Sequence, residues 1–198
     1  MTAGRLRLVR SLVRAFFPDY LRLVEPDAAE RLRLDRLAWL RLPGSALAAE
    51  APQAEGGKAV LVLRIDRDEP APNDLSAWLV RGLGRLKVPY GRPVLLHVLS
   101  VERGRPGPEL DTAVAARLAG SESLRIFYTR FGLASSRAEY WLSRPEPLAW
   151  ALAAWMSPSR LSRAELRQAC QRRLAAATLP EDRRKLLLRF VASGPDTA

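Results

Sequence analysis

Near the start of the chain, Leu6, Val9, Leu12, Val13, Phe16, Phe17 and Tyr20 recur at intervals of three and four residues, with Arg7, Arg10 and Arg14 between them. That is the period of a helix with one apolar face. It predicts a helix over 5–23, interrupted near Pro18 because proline lacks an N–H and its ring crowds the preceding turn. Asp27 is placed to cap a short second helix through Ala28, Ala29, Glu30, Arg31 and Leu32. The helical period then fades over 34–42 and ends at Pro43 and Gly44.

A different pattern starts at residue 59. Ala59-Val60-Leu61-Val62-Leu63-Arg64-Ile65-Asp66 is short and apolar on both faces, as a central strand is. Glu55-Gly56-Gly57-Lys58 reads as the turn that joins it to a preceding strand. Pro70, Pro72 and Asn73 break the run, and Asp74 can cap a helix over 75–88 with Leu75, Trp78, Leu79, Leu83 and Leu86 on one face. A second buried-type strand covers 93–100 and closes in the turn-rich stretch 103–108; a third, alternating strand covers 124–131. Strand, helix and strand in that order form a right-handed βαβ crossover. From Ser136 onward the pattern is helical, over 138–142, 147–156, 162–177 and 180–191, with Ser162 and Glu165 spaced as a capping box. The expectation is an α/β fold with a mixed central sheet, flanking helices and a helical C-terminal subdomain. It divides into a core over 1–135, the subdomain over 136–192 and a disordered tail over 193–198.

Composition narrows the chemistry. The 198 residues are 48% hydrophobic and 27% charged, which excludes a disordered chain, and no apolar run is long enough to span a membrane. One cysteine, Cys170, excludes a disulfide framework, and with one histidine, His97, it excludes Cys- and His-ligated metal sites. Any metal is left to carboxylates and carbonyls. Arginines threaded through the first apolar run do not resemble a signal peptide, so the expected compartment is the cytoplasm. The net charge is +11, and 29 of the 32 basic residues are arginine. Residues 1–41 carry nine arginines against five acids, and residues 158–191 carry nine basic residues against three. Basic ends around a balanced middle suit a polyanion-binding surface, although a GC-rich genome would favour arginine over lysine without any such role.

Several pieces occur in a telling order: Phe16-Phe17-Pro18-Asp19-Tyr20-Leu21, Ala28-Ala29-Glu30-Arg31-Leu32, Tyr90-Gly91-Arg92-Pro93-Val94, 147–154, Ala164-Glu165-Leu166-Arg167-Gln168-Ala169-Cys170, and 183–191. Together they resemble the bacterial Rpn family, the YhgA-like recombination-promoting nucleases and transposase-like proteins. The resemblance spans about residues 5–192. It implies a restriction-endonuclease-like sheet of the PD-(D/E)XK superfamily, in which one strand carries an Asp and the next a Glu-x-Lys or Glu-x-Gln. Residues i and i+2 of a strand share a face, so the acid can hold a metal while its neighbour positions the attacking water.

Carried onto this chain, the second motif falls on Asp66 and Asp68 as catalytic residues, with a one-residue shift to Ile65 and Arg67 as the alternative. The first acid belongs in 47–51, where Glu50 is the one acid, so Asp66 and Glu50 would hold Mg²⁺ if the chain is active; otherwise Ala48 or Ala49 stands in the acid's place. Asp68 replaces a donor with a second negative charge. The acid and lysine expected in the first helix are Leu6 and Arg10, and the Arg/Tyr-rich face of the family's middle helix is the plainer stretch 75–82. The expected function is an Rpn-like DNA endonuclease with a weakened active site, or an inactive relative that binds nucleic acid or a protein. DNA would meet Arg7, Arg10, Arg14, Arg167, Arg172 and Arg173. A homodimer is open to either, and membrane-surface binding by the first helix is a third reading. His97, Cys170 and the tryptophans at 141, 150 and 155 read as core residues.

Overall fold

The computed structural model describes residues 3–42, 46–86, 92–114 and 125–195. Among them are eight α-helices and a six-stranded mixed sheet, so the chain is α/β. The order along the chain is α1 (Ala3–Ala15), α2 (Phe17–Val24), α3 (Pro26–Glu30), a 3₁₀ turn (Leu34–Arg36), β1 (Ala38–Leu40), β2 (Leu47–Pro52), β3 (Lys58–Asp68), α4 (Pro72–Leu86), β4 (Val94–Arg103), β5 (Glu109–Val114), β6 (Arg125–Gly132), α5 (Ala138–Leu142), α6 (Pro147–Ala153), α7 (Arg163–Ala176) and α8 (Glu181–Ala192). The strands lie in the order β1-β2-β3-β4-β6-β5. β1, β2 and β3 are antiparallel neighbours, β3, β4 and β6 run parallel, and β5 closes the far edge antiparallel to β6.

Local chemistry sets the joints. Pro18 starts a helix rather than kinking one: it occupies the first turn of α2, where its missing N–H has no partner to lose, and the chain breaks at Phe16. Pro26 does the same for α3, so Glu25, and not Asp27, takes the cap position, with no side-chain capping bond. Gly56 and Gly57 adopt φ of 101° and 80°, left-handed values suited to glycine, in the loop between β2 and β3. Gln53 N–H donates to Gly57 O at 3.1 Å across this loop, which fixes the hairpin register. α4 begins at Pro72, two residues ahead of the predicted cap Asp74. Its predicted extension to Val88 and the side chains of Leu83 and Leu86 lie outside the described residues, as does Leu124.

β3 is buried on both faces, as its sequence predicts. Leu61, Leu63 and Ile65 pack with Leu99 and Phe131 beneath α1, α2 and α6–α8. Val60 and Val62 pack with Leu96, Val98 and Tyr128 beneath Leu75 and Leu79 of α4. Each such side chain contributes about 1.5–3 kcal/mol on burial. The helices after Ser136 share the first of these clusters with the sheet. Trp155 stacks on Phe190 at 4.8 Å and donates Nε1–H to the Phe190 carbonyl at 3.0 Å. Trp141 stacks on Phe131, and Cys170 is buried, its thiol pushed up to about 11 by burial. The segment expected to be disordered after residue 192 is packed as far as it is described: Gly194 is buried and Pro195 O accepts from Arg167.

Candidate functional site

Asp66 and Glu50, assigned to one metal by the resemblance, stand at opposite ends of β3. The hairpin register pairs Glu50 with Val60, six residues before Asp66 on the same strand. At roughly 3.3 Å per residue the two carboxylates are about 20 Å apart. β2 begins with Leu47 opposite Leu63, three residues short of Asp66, whose neighbour on the other side is Ser100 of β4. Each acid already has a basic partner. Arg64 Nε lies 2.5 Å from Asp66 Oδ2 along one face of β3, with the Arg64 guanidinium 5.0 Å over the Trp78 ring. Burial raises the Asp66 carboxyl above its usual range, and the charge and hydrogen bonding of Arg64 oppose that rise. Glu50 accepts from Lys58 Nζ at 3.2 Å and from Arg92.

The flanking positions fit a metal no better. Asp68 is exposed beyond an irregularity in the β3–β4 ladder, opposite Arg103. Under the shifted alignment, Ile65 is a core residue and Arg67 pairs with Glu102 at 2.5 Å. Ala48 and Ala49 are buried. Among the described residues there is no group of three His, Cys, Asp or Glu able to hold a metal ion. Asp66 and Glu50 therefore do not converge on one point: hairpin register separates them, and Arg64 and Arg92 pair with them, an arrangement that does not fit one shared Mg²⁺ ion.

The predicted DNA-facing arginines divide into two groups. On α7, Arg173 donates to Leu142 O at 2.7 Å and lies over Trp150, and Arg167 donates to Pro195 O at 3.3 Å. Both tie the helix to its neighbours; Arg172 is exposed. On α1, Arg7 is exposed, whereas Arg10 and Arg14 wall a cleft of about 470 Å³ with Trp39, Leu40, Arg41, Leu42, Ala46 and Leu47. Arg14 sits 5.1 Å over the Trp39 ring, and Phe17 packs on Trp39 at 5.4 Å. Trp39 is 37% exposed. Guanidinium groups beside an exposed aromatic ring, with no carboxylate among the described lining residues, suit phosphate contact and base stacking. α8 lies beside α1: Arg183 stacks on Phe16 at 4.1 Å and pairs with Asp19 at 2.9 Å, which brings the two basic ends of the sequence together.

Sequence reasoning missed Trp39 and Arg41, because β1 has three residues and no readable period. No family model, curated protein or solved structure matches the chain. No helix among the described residues is long and apolar enough to cross a membrane.

Proposed function

We propose that this chain is a non-cleaving relative of the Rpn nucleases that binds nucleic acid, DNA in the first instance, in the cleft between α1 and β1. The observation that carries the reading is the wall of Arg10, Arg14 and Arg41 around Trp39, with no acid among the described lining residues. Affinity for a polynucleotide starts with neutralised phosphates, and base stacking on an aromatic side chain contributes about 1–3 kcal/mol per base. The β2–β3 hairpin followed by a helical crossover into a parallel β4 supports a restriction-endonuclease-like sheet. Cleavage by such a sheet needs two convergent acids and a group that orients water. Here the acids are separated and held by arginines, so binding is retained and hydrolysis is not.

The test pairs two assays on the whole chain. In the first, a fluorescent single-stranded oligonucleotide is titrated with protein at low salt; in the second, supercoiled plasmid is incubated with protein and Mg²⁺ or Mn²⁺. The reading expects saturable binding, weakened by Arg14→Glu or Arg41→Glu, and intact plasmid. Divalent-dependent nicking abolished by Asp66→Ala would make the chain a nuclease, and absence of binding at low salt would remove the nucleic-acid reading.

A further inference from the structure

Away from the arginine cleft, the N-terminal ends of β4 and β6 open into a larger cavity of about 670 Å³, roofed by the end of α2 and by α3. Its rim carries Leu110, 72% exposed, and Phe127, 58% exposed, two of the five large hydrophobic side chains left exposed among the described residues. Leu110 on the edge strand β5 and Phe127 on its neighbour β6 both line the cavity and leave an exposed apolar surface at its rim. Deeper in, the Glu25 carboxylate accepts a hydrogen bond from the Thr129 hydroxyl and lies 3.4 Å from His97 Nε2.

In a chain of net charge +11, the half-buried acids among the described residues are mostly matched with guanidinium or ammonium groups: Asp19, Glu50, Asp66, Glu69, Glu102, Asp111 and Glu146 each have one. Glu139 has none, but it takes backbone N–H bonds from Ser159 and Arg160, both at 2.7 Å. Glu25 has neither. Its neighbour His97 is 1% exposed, and burial lowers its pKa against the opposing pull of Glu25, so the imidazole is neutral at pH 7 and leaves the carboxylate's charge unmatched. Both ring nitrogens of His97 and the hydroxyl of Tyr20, whose ring meets His97 edge-on at 6.0 Å, are buried without a hydrogen-bond partner. Buried polar groups are ordinarily paired, and here three unpaired atoms cluster behind one uncompensated carboxylate.

We infer that this cavity binds a small organic cation, an ammonium or amidinium group on an apolar body, with the cationic head on Glu25 and the body against Leu95, Leu110 and Phe127. The head donates to the carboxylate oxygens that Thr129 leaves open, a charge-assisted bond in a partly desolvated setting. Apolar walls with a few convergent polar groups are the usual build of a small-molecule site.

The probe is phenethylamine, compared with phenethyl alcohol and phenylpropionate, titrated into the whole chain by calorimetry and by two-dimensional NMR. The amine should bind more than tenfold tighter than either analogue, with shifts at Thr129, Leu110 and Phe127. Glu25→Gln keeps the acceptor for Thr129, so it should abolish the preference for the amine without unfolding the protein. Phe127→Ser, at an exposed position, should weaken the amine and the alcohol alike. Equal affinity for the three compounds, an amine preference that survives Glu25→Gln, no binding of the amine, or displacement only by an arginine-rich peptide would each overturn the inference.

Discussion

Replacing Arg64 by methionine distinguishes a structural Asp66 from a metal-binding one. Arg64 holds Asp66 at 2.5 Å and covers Trp78, and the two side chains are 17% and 23% exposed. Methionine keeps most of the stem's contact with Trp78 and removes the charge. Losing one partner of a fully buried pair costs about 3–5 kcal/mol, whereas an exposed pair contributes about 0–1 kcal/mol. For a pair about one-fifth exposed, we expect a loss of about 2 kcal/mol, or about 4–8 °C in Tm for a chain of this size. The loss depends on pH. Burial already raises the Asp66 carboxyl above 3.8, and without Arg64 it rises further. A carboxyl whose folded pKa exceeds its unfolded value destabilises the fold when ionised. That penalty is absent below the unfolded pKa and complete above the folded one. The gap between wild type and Arg64→Met should therefore be widest at neutral pH and close as the pH falls toward about 4. Urea unfolding followed by tryptophan fluorescence at several pH values, with and without Mg²⁺, measures it. A gap below about 0.5 kcal/mol, a gap indifferent to pH, or recovery of stability in Mg²⁺ would refute the reasoning.

Two other substitutions probe the frame around these sites. Ser162→Ala removes the side-chain half of the capping box at α7, where Ser162 Oγ accepts from Glu165 N–H at 3.2 Å, and leaves the backbone N–H of residue 162 donating to the Glu165 carboxylate at 2.8 Å; thermal unfolding should show a loss of about 1 kcal/mol. Gly132→Ala would press a methyl group into the backbone of Arg105 and to within 2.8 Å of the Gly104 carbonyl carbon, so we expect about 1–3 kcal/mol of destabilisation in denaturant titrations, and a neutral result would mean that the 104–105 loop yields.

The central part of the sheet was legible because β3 and β4 are apolar on both faces, a pattern that needs no knowledge of partners. β5 was not, because Glu109, Asp111 and Thr112 give no apolar strand pattern; the two charges are matched only in three dimensions, Glu109 by Arg130 and Asp111 by Arg105. Position relative to a turn decided the fate of the acidic pair: the resemblance to the Rpn family assigns Glu50 and Asp66 to one site, but the register of the hairpin separates them. The cavity around Glu25 was invisible for a similar reason. It joins residues of α2 and α3 to strand ends more than sixty positions away, and the proline that made Asp27 look like the cap handed that position to Glu25.

The most direct test of the central claim is the salt dependence of oligonucleotide binding by wild type and by Arg14→Gln/Arg41→Gln. Each phosphate contact to a single strand contributes about 0.7 to the slope of log affinity against log salt. The account predicts a steep slope for wild type between about 50 and about 200 mM salt, and a slope smaller by about 1.4 for the double variant. Equal slopes for the two proteins, or wild-type affinity flat across that range, would contradict it.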